Sequence, residues 1–271
     1  MPKDRKRLFL DTAVKAAQLA GQGILNNLGQ VSKKDIEQKR ASDFVTRVDT
    51  ESEQIIINAI KGKFPDHHFL AEESFKEAGT DRYRWIIDPL DGTTNYIHQY
   101  PVFSLSIALE YKREIILGVV YDPLRGELFT AEKGKGAFLN KRQIQVSTIH
   151  SLKDCLVTTG FPFRSKDFIG IYLKLFKNVF QKISDLRRAG SAALDLAYLA
   201  CGRCEGFFEI GLSPWDIAAG IILIREAGGV ITDFGGGNEF LSTGNIVAGN
   251  PAVHKQLLKE TRHVFKGIID K

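Results

Sequence analysis

The first apolar pattern in the chain runs over residues 7–28 and repeats at close to 3.6 residues. The positions that carry this repeat are Leu8, Ala13, Ala16, Leu19, Ala20 and Ile24. Such a period predicts an amphipathic helix. Residues 29–42 are polar and charged without any repeat, so they predict a loop.

A second helix is predicted from a signature of helix N-termini. Thr50 and Glu53 have the spacing of a capping box, in which each side chain bonds the backbone N–H of the other residue. An apolar run follows as far as Lys63. The helix is therefore expected from Thr50 to about Lys63, and Asp49 is expected directly before its first turn.

Strands are predicted next, from short apolar runs. The runs at 67–74 and 84–90 each end in or near acidic residues. Three more runs, separated by hairpin-type turns, span 103–111, 114–122 and 126–132. We therefore expect residues 1–145 to form an N-terminal α+β sub-domain with a largely antiparallel sheet.

The second half of the chain alternates between strand and helix patterns. Strands are predicted over 155–160, 184–190, 206–210, 229–233 and 245–250, and helices over 166–182, 191–201, 214–227 and 251–267. This alternation is typical of a sheet covered by helices on both faces. Residues 146–271 are accordingly expected to form a C-terminal α/β sub-domain, joined to the first in one compact unit.

Composition adds the class of protein. Of 271 residues, 44% are apolar and 25% are charged, which favours a globular chain with a sizeable core. The formal net charge is +5, and the densest basic runs are residues 3–7 and 33–34. These runs are interpreted as solvated surface, and nucleic-acid binding is the less favoured reading because no aromatic residues are interleaved with them.

Nothing in the pattern predicts a membrane segment. No apolar run approaches the ~20 residues of a membrane span. Asp11 and Lys15 interrupt the first apolar segment, which argues against a signal peptide. The odd count of three cysteines favours a reducing compartment, so we expect a cytoplasmic protein. Cys201 and Cys204 form a lone CxxC at a predicted helix end, and half-buried thiols are expected there rather than a zinc site.

The candidate chemistry begins in the stretch WIIDPLDGTTN, residues 85–95. Asp88 follows an apolar strand that Pro89 is expected to end, and Gly92 permits a tight turn after Asp91. Such a turn can aim both carboxylates at one point, and oxygen ligands suit a hard cation such as Mg²⁺. The alternative at this stage is an ordinary Asp-Gly turn without a ligand.

Further acidic residues favour the metal site. Glu72 and Glu73 close the preceding strand, and Asp216 lies in the first turn of a predicted helix beside Trp215. The small residues Ala218, Ala219 and Gly220 predict that this helix start is tightly packed, with Trp215 buried. If Glu72, Asp88, Asp91 and Asp216 converge, a pair of metal ions is the natural way to neutralise them.

The sequence resembles the inositol monophosphatase family. The resemblance rests on FLAEES (69–74), WIIDPLDGTTNYIH (85–98), WDIAAGIILIREAGGVITD (215–233) and SDFVTRVDTESE (42–53). It implies a five-layered α-β-α-β-α sandwich of the inositol monophosphatase and fructose-1,6-bisphosphatase type. It also implies a homodimer, with an active site between the two sub-domains.

The resemblance also implies roles for individual residues. Metal ligands would be Glu72, Asp88, Asp91, Asp216 and the backbone carbonyl of Leu90, around two or three Mg²⁺ ions. Catalytic residues would be Asp49, Thr93 and Glu72, with Thr93 and Asp49 positioning and deprotonating the attacking water. Substrate contacts would come from Asp91, Gly92, Thr93, Ala192, Glu209 and Asp216. Glu73 is instead expected to support the metal ligands indirectly or to form an ion pair. Arg187 and Arg188 are expected to form surface ion pairs, with a contact to the substrate or to a dimer partner as the alternative.

The implied activity is Mg²⁺-dependent hydrolysis of a phosphate monoester, with inositol 1-phosphate as the leading substrate and lithium as an inhibitor. Fructose-1,6-bisphosphatase activity, broad sugar-phosphate activity and 3′-phosphoadenosine-5′-phosphate phosphatase activity are the alternatives within the family. Glu209 and its short spacing to Asp216 favour the inositol type over the nucleotide type. A different class of function is also implied, because some bacterial members of the family are partners of transcription antitermination complexes.

Overall fold

The computed structural model describes residues 3–40, 43–74, 83–162 and 166–268, except the side chains of residues 3–7, 40 and 43. Within these residues the α-helices are α1 Lys3–Asn27, α2 Arg47–Lys61, α3 Thr93–Ile97, α4 Ile169–Phe180, α5 Ala192–Ala200, α6 Pro214–Glu226, α7 Phe240–Thr243 and α8 Pro251–Phe265. The strands are β1 Ile36–Arg40, β2 Asp43–Thr46, β3 His68–Ala71, β4 Tyr83–Asp91, β5 Ser104–Tyr111, β6 Glu114–Asp122, β7 Glu127–Glu132, β8 Gly136–Leu139, β9 Arg142–Ile144, β10 Leu156–Thr159, β11 Asp185–Arg187, β12 Gly206–Glu209, β13 Val230–Thr232 and β14 Ile246–Gly249.

These elements stack in five layers. Helices α1 and α2 cover one face of a seven-stranded sheet, β3-β4-β5-β6-β7-β8-β9, and share an apolar cluster with it. Helices α5 and α6 lie against the other face of this sheet. A five-stranded sheet, β11-β10-β12-β14-β13, comes next, and α4 and α8 form the last layer on it. The α-β-α-β-α arrangement predicted from the sequence is confirmed.

The middle layer is apolar on nearly all sides. Every residue of α5 except Tyr198 is buried, and α6 is buried without interruption from Asp216 to Ile224. A helix between two sheets has no solvent face, which explains why neither helix has a polar stripe. Gly220 allows the close approach of α5 to α6, because a Cβ atom there would lie 2.5 Å from Leu196 Cδ1. The tight packing predicted from the small residues of this segment is confirmed.

The two sheets draw their strands from different halves of the chain. The larger sheet is antiparallel apart from the parallel pair β3–β4. The smaller sheet mixes parallel pairs at β10 with antiparallel pairs at β14. Because α5 and α6 also pack on the larger sheet, the second half of the chain contributes to both sides of the molecule. The division into sub-domains at residue 145 remains a prediction.

The predicted start of α2 is wrong by three residues. The helix begins at Arg47, and its capping box joins Thr46 to Asp49, whose Oδ2 accepts from the Thr46 N–H at 2.8 Å. Thr50 lies inside the first turn and donates to the Arg47 carbonyl instead. Both pairs have capping-box spacing, and the first pair prevails because strand β2 ends at Thr46. Asp49 is therefore held by the helix end rather than placed before it.

Other boundaries also differ from the prediction. Part of the segment expected as a loop, residues 29–42, forms strand β1, which pairs with β2; Ala41 and Ser42 lie outside the described residues. Pro89 does not end β4, because the strand shifts register between Asp88 and Asp91 and continues. A proline is compatible with a strand where such an irregularity removes the need for its N–H. The strands β8 and β9 and the short helix α7 were not predicted.

Two further expectations are met. Among the described residues, no helix combines the length and the apolar character needed to cross a membrane. The three cysteines carry free thiols, with Cys201 at the C-terminal end of α5 and Cys204 buried just beyond it. Burial raises the pKa of the Cys204 thiol well above its usual range, so this CxxC pair behaves as part of the core.

Trp215 is less buried than the sequence predicted. It packs only partly against the central apolar cluster, and its buried indole N–H has no acceptor among the described residues. Truncation removes apolar contacts but also an unsatisfied donor, and these two effects oppose each other. We expect Trp215→Ala to lower the free energy of unfolding by about 1–2 kcal/mol, below the ~3–5 kcal/mol typical of a fully buried tryptophan.

Urea denaturation of the Trp215→Ala variant tests this expectation. Trp85 supplies the comparison, because its side chain is fully buried and its indole N–H donates to His67 Nδ1 at 3.0 Å. Trp85→Ala should lower the midpoint more than Trp215→Ala. A larger shift for Trp215→Ala would show that Trp215 is a core residue after all.

Candidate active site

Glu72 and Asp88 are brought together by the parallel pairing of β3 and β4. In this register Ala71 lies beside Ile87. The next residue on each strand is an acid, so Glu72 and Asp88 lie at the same edge of the sheet. The Glu72 N–H donates to the Ile87 carbonyl at 3.2 Å, which continues the pairing one step beyond β3. The strand ends therefore place both acids in one cleft, as the sequence predicted.

Asp91 links the larger sheet to the first turn of α5. Its Oδ2 accepts from the Ser191 hydroxyl at 2.6 Å and from the Ala193 N–H at 2.8 Å. The next residue, Gly92, has a φ of +96°, and a Cβ atom there would lie 2.9 Å from the Val102 carbonyl oxygen. Only glycine adopts this turn without strain, so the aspartate–glycine pair has a structural reason.

Asp216 reaches the cleft from the first turn of α6. Its Oδ2 accepts from the Ser213 N–H at 2.7 Å, which caps the helix. In Asp88, Oδ1 similarly accepts from the Leu90 N–H at 3.0 Å. Backbone donors thus fix one oxygen of each aspartate, and this orients the carboxylates before any ligand binds.

The four acids Glu72, Asp88, Asp91 and Asp216 line one cavity of about 270 Å³. Its acidic and catalytic candidates are Glu72, Asp88, Asp91, Thr93, Glu209 and Asp216, and Leu90, Gly92 and Ala192 also line it. This volume is smaller than the ~300–1,000 Å³ of typical drug-sized pockets, so the cavity suits a small polar ligand. Asp49 is buried behind the lining and contacts it through Thr93.

The cavity concentrates negative charge. Burial, followed by the charges of Glu72, Asp91 and Asp216, raises the pKa of Asp88 well above its usual range. Such mutual repulsion requires that the four acids lie close enough to interact strongly. A cation in the cavity would relieve the repulsion, and Lys39 already does so at the rim, with its Nζ 3.3 Å from Glu72 Oε1.

Asp49 and Thr93 form the pair that the sequence predicted. The Thr93 hydroxyl lies 2.8 Å from Asp49 Oδ1 and 3.1 Å from the Leu90 carbonyl oxygen. Asp49 is 1% exposed, and burial raises the pKa of its carboxyl. A carboxylate with a raised pKa is a better proton acceptor than an exposed one.

The donor set fits Mg²⁺ in its chemistry. It consists of carboxylate and carbonyl oxygens, without sulfur or imidazole, as hard cations require. In the part of the chain that the structure describes, no three acidic, histidine or cysteine side chains are close enough together to enclose an ion. Ion binding therefore needs small side-chain movements about the oxygens that the backbone already fixes.

The same cavity is also lined by Glu209 at the end of β12 and by Ala192 at the start of α5. A Cβ atom on Gly160 would lie 2.0 Å from Glu209 Oε1, so the carboxylate lies directly over the backbone at residue 160. Asp195 and Arg188 also line the cavity. The lining therefore includes an arginine as well as acids, and it carries charge of both signs.

Several residues of the cavity were missed or misplaced by the sequence analysis. Arg187 forms the expected surface ion pair, with Asp185 at 2.6 Å, whereas Arg188 lines the cavity, the place required by the alternative of a substrate contact. Lys39 was predicted to lie in a loop, and no ion pair was predicted for it. It forms ion pairs with both Glu72 and Glu73, and an ion pair of Glu73 was expected. Asp195 had a visible signal, since it is the acid within the apolar run AALDLAYLA.

The fold and the cavity together define a layered α/β protein with a small, strongly acidic ligand site between its two sheets. A sequence model of the inositol monophosphatase family matches residues 6–265. The chain is 49% identical over 255 residues to the Nus factor SuhB of Escherichia coli (strain K12), covering 94% of this chain and 96% of that protein.

Two further comparisons agree with this family match. The chain is 44% identical over 255 residues to the inositol-1-monophosphatase of Mesorhizobium japonicum, covering 94% of this chain and 96% of that protein. The crystal structure of the extragenic suppressor protein suhB from Bartonella henselae matches with a TM-score of 0.91 at 44% identity, covering 96% of this chain and all of that one. The chain belongs to the inositol monophosphatase family.

Proposed function

We propose that this protein is a Mg²⁺-dependent phosphate monoester hydrolase whose main substrate is inositol 1-phosphate. The observation that carries the proposal is the Thr93–Asp49 hydrogen bond of 2.8 Å beside a cavity lined by six acids, four of which are Glu72, Asp88, Asp91 and Asp216. This combination provides a proton acceptor beside a group of carboxylates that can bind cations. Metal-dependent hydrolysis of a phosphate ester by direct attack of water uses both, and it needs no covalent nucleophile from the protein.

The residues of the site would have distinct roles in metal binding and in water activation. Glu72, Asp88, Asp91, Asp216 and the Leu90 carbonyl would hold the ions, two or three per site. Bound Mg²⁺ would offset the charge of the phosphate and polarise its oxygens. Asp49 accepts the Thr93 proton in a hydrogen bond, so the Thr93 oxygen is oriented to accept one from the attacking water. Glu72 helps to position that water from the other side of the cavity.

The substrate would be oriented by several groups of the cavity lining. The left-handed turn at Gly92 brings the backbone N–H groups of Gly92 and Thr93 to the cavity wall, where they can bind phosphate oxygens. Ala192 and Glu209 line the cavity and would contact the alcohol portion, and Asp91 and Asp216 would contact oxygens near the ions. The charged and polar groups of this lining suit the hydroxyl groups of a polyol.

Phosphate release from a panel of esters tests the proposal. The panel contains inositol 1-phosphate, fructose 1,6-bisphosphate, 3′-phosphoadenosine 5′-phosphate and p-nitrophenyl phosphate, each with Mg²⁺, with EDTA, and with Mg²⁺ plus Li⁺. We expect inositol 1-phosphate to have the highest kcat/KM and EDTA to abolish turnover. Preference for the bisphosphate or the nucleotide would move the assignment within the family, and turnover in EDTA would overturn the metal requirement.

A second candidate function is that of a Nus factor. It is favoured by the relatives of that name, which are 49% identical across nearly their whole length. A role as a partner of a transcription complex would not require turnover. RNA binding measured at rising salt concentration tests a basic nucleic-acid surface, because contacts to phosphates weaken steeply with salt. Absence of salt-dependent binding would remove this surface from consideration.

The remaining family properties are part of the same proposal. A homodimer, a cytoplasmic location and lithium inhibition are proposed as well, on the ground that the chain belongs to the inositol monophosphatase family. Sedimentation of the purified chain tests the dimer directly. A monomer at micromolar concentration would contradict it.

A further inference from the structure

Asp195 is a largely buried carboxylate that lines the cavity. It lies in α5 and is 2% exposed, and within the described residues its carboxylate makes no hydrogen bond or ion pair. Only its backbone groups are bonded, with the N–H donating to the Ser191 carbonyl at 3.0 Å. An unpaired buried acid opposes folding, so its presence in an otherwise apolar helix indicates a role other than stability.

The surroundings of Asp195 point to the cavity. It lines the same cavity as Glu209 and Arg188, and it lies one helical turn after Ala192, on the same side of α5. Burial, followed by the charges of Glu209 and Asp91, raises the pKa of Asp195, whereas Arg188 lowers it. The group is therefore within electrostatic reach of both acids and of the arginine at the mouth of the cavity.

The chemistry of a ligand for this cavity follows from these groups. The carboxylates of Asp195 and Glu209, on different elements, present several hydrogen-bond acceptors to the cavity. A ligand with adjacent hydroxyl groups supplies donors to both, whereas an aromatic ring supplies none. Bonds between a hydroxyl and a carboxylate are the stronger, charge-assisted kind, and they would satisfy the buried group.

We propose that Asp195 is a specificity-determining residue, which accepts a hydrogen bond from a hydroxyl of the alcohol portion of the substrate and so selects polyol phosphates. This inference rests on the proposed phosphatase function. Glu209 is held against Gly160, and Asp195 approaches from α5, so the two acids bind hydroxyls from two sides of the ring. Arg188 offsets their charge at the cavity mouth.

Asp195→Ala tests the proposal with two substrates, inositol 1-phosphate and p-nitrophenyl phosphate, in saturating Mg²⁺. We expect KM for the inositol ester to rise about 10-fold or more, since a charge-assisted hydrogen bond is lost. KM and kcat for the aromatic ester should change less than about 2-fold. The urea midpoint should stay the same or rise, because an unpaired buried acid has been removed.

Three variants sharpen the test. Asp195→Asn keeps an acceptor oxygen and should recover most of the affinity for the inositol ester. Gly160→Ala should raise the same KM by displacing Glu209, since a Cβ atom at residue 160 would lie 2.0 Å from its oxygen. Leu196→Ala, a buried neighbour in α5, should lower the urea midpoint while leaving the ratio of the two KM values unchanged.

Each outcome bears on the proposal. Equal losses on both substrates would show that Asp195 acts on the reaction centre or on folding, and unchanged kinetics would remove it from the cavity's function; either result overturns the inference. If the wild-type protein hydrolyses neither ester, the proposed function itself fails. A wild-type enzyme that is active but whose selectivity is unaffected by Asp195→Ala leaves the function standing and overturns only this inference.

Discussion

Asp88→Asn is expected to lower kcat for inositol 1-phosphate by about 10³-fold or more while leaving the protein folded. Asp88 lies at the centre of the acids that would hold Mg²⁺, and an amide oxygen is a weaker, uncharged ligand. The amide can still accept from the Leu90 N–H, so the turn at residues 88–91 keeps its hydrogen bond. Turnover within about 10-fold of the wild type would refute a role at the metal centre.

The stability of this variant should depend on pH in a defined direction. In the metal-free protein the folded state raises the pKa of Asp88 above its value in the unfolded chain, so the folded state binds the proton more tightly. The contribution of Asp88 to the stability of the wild type should therefore be largest at and below the unfolded pKa of about 4, and it should be lost as pH rises through the raised pKa. The Asp88→Asn variant lacks this ionisable group, so its stability should fall less than that of the wild type as pH rises.

Urea midpoints measured in EDTA at pH 5 and pH 8 check this expectation. At pH 8 the variant should be at least as stable as the wild type, because one buried negative charge has been removed. A variant that is less stable than the wild type at pH 8 would show that Asp88 is held by partners that favour its charge.

Asp122→Asn provides the matched control for Asp88→Asn. Asp122 is also fully buried, but its carboxylate accepts from Arg125 Nη1 at 2.8 Å and from the Arg125 N–H at 3.0 Å. Its charge is thus paired, and its removal should lower the urea midpoint while leaving kcat near the wild-type value. The two substitutions should therefore have opposite effects on activity and stability.

Thr93→Ala is expected to lower kcat by about 10²-fold or more, the range over which general base catalysis contributes. The hydroxyl joins Asp49 to the cavity, and its loss leaves the attacking water without an oriented acceptor. Asp49 itself remains held by the N–H and hydroxyl of Thr46. The concentration of Mg²⁺ that gives half-maximal rate should change less than about 3-fold, because no carboxylate ligand is altered.

Thr93→Ser is the control for this substitution. It keeps the hydroxyl and removes only a methyl group, so most of the activity should remain. Initial rates over a range of Mg²⁺ concentrations separate kcat from metal affinity. A wild-type kcat in Thr93→Ala, or equal losses in both variants, would exclude the hydroxyl from water activation.

Local sequence patterns predicted most of the elements. Short-range periodicity and turn residues placed five of the seven strands in the larger sheet, and they placed the strands and main helices of the second half. The turn Asp91-Gly92 was predictable because only glycine tolerates the φ of +96° that brings the backbone close to Val102. These signals depend on the conformation and hydrogen bonds of residues close in the chain.

The errors in the predicted element boundaries occurred where two local conformations were equally compatible with the sequence. Thr46–Asp49 and Thr50–Glu53 both fit a capping box, and the end of β2 decided between them. Pro89 could end a strand or lie at an irregularity, and pairing with β5 on both sides of it decided for the second. Local preference is weak compared with the pairing of whole strands, so tertiary contacts determined the outcome.

The sequence by itself determined which residues have the chemistry of the site, namely the acids at strand and helix ends and the Thr93 hydroxyl. Only the tertiary structure decided which of them meet. The parallel register of β3 and β4 places Glu72 beside Asp88, and the packing of α5 between two sheets buries Asp195 at the cavity and brings Ser191 to Asp91. The physical reason is that contacts between segments far apart in the chain depend on how complete faces pack, which no short pattern records.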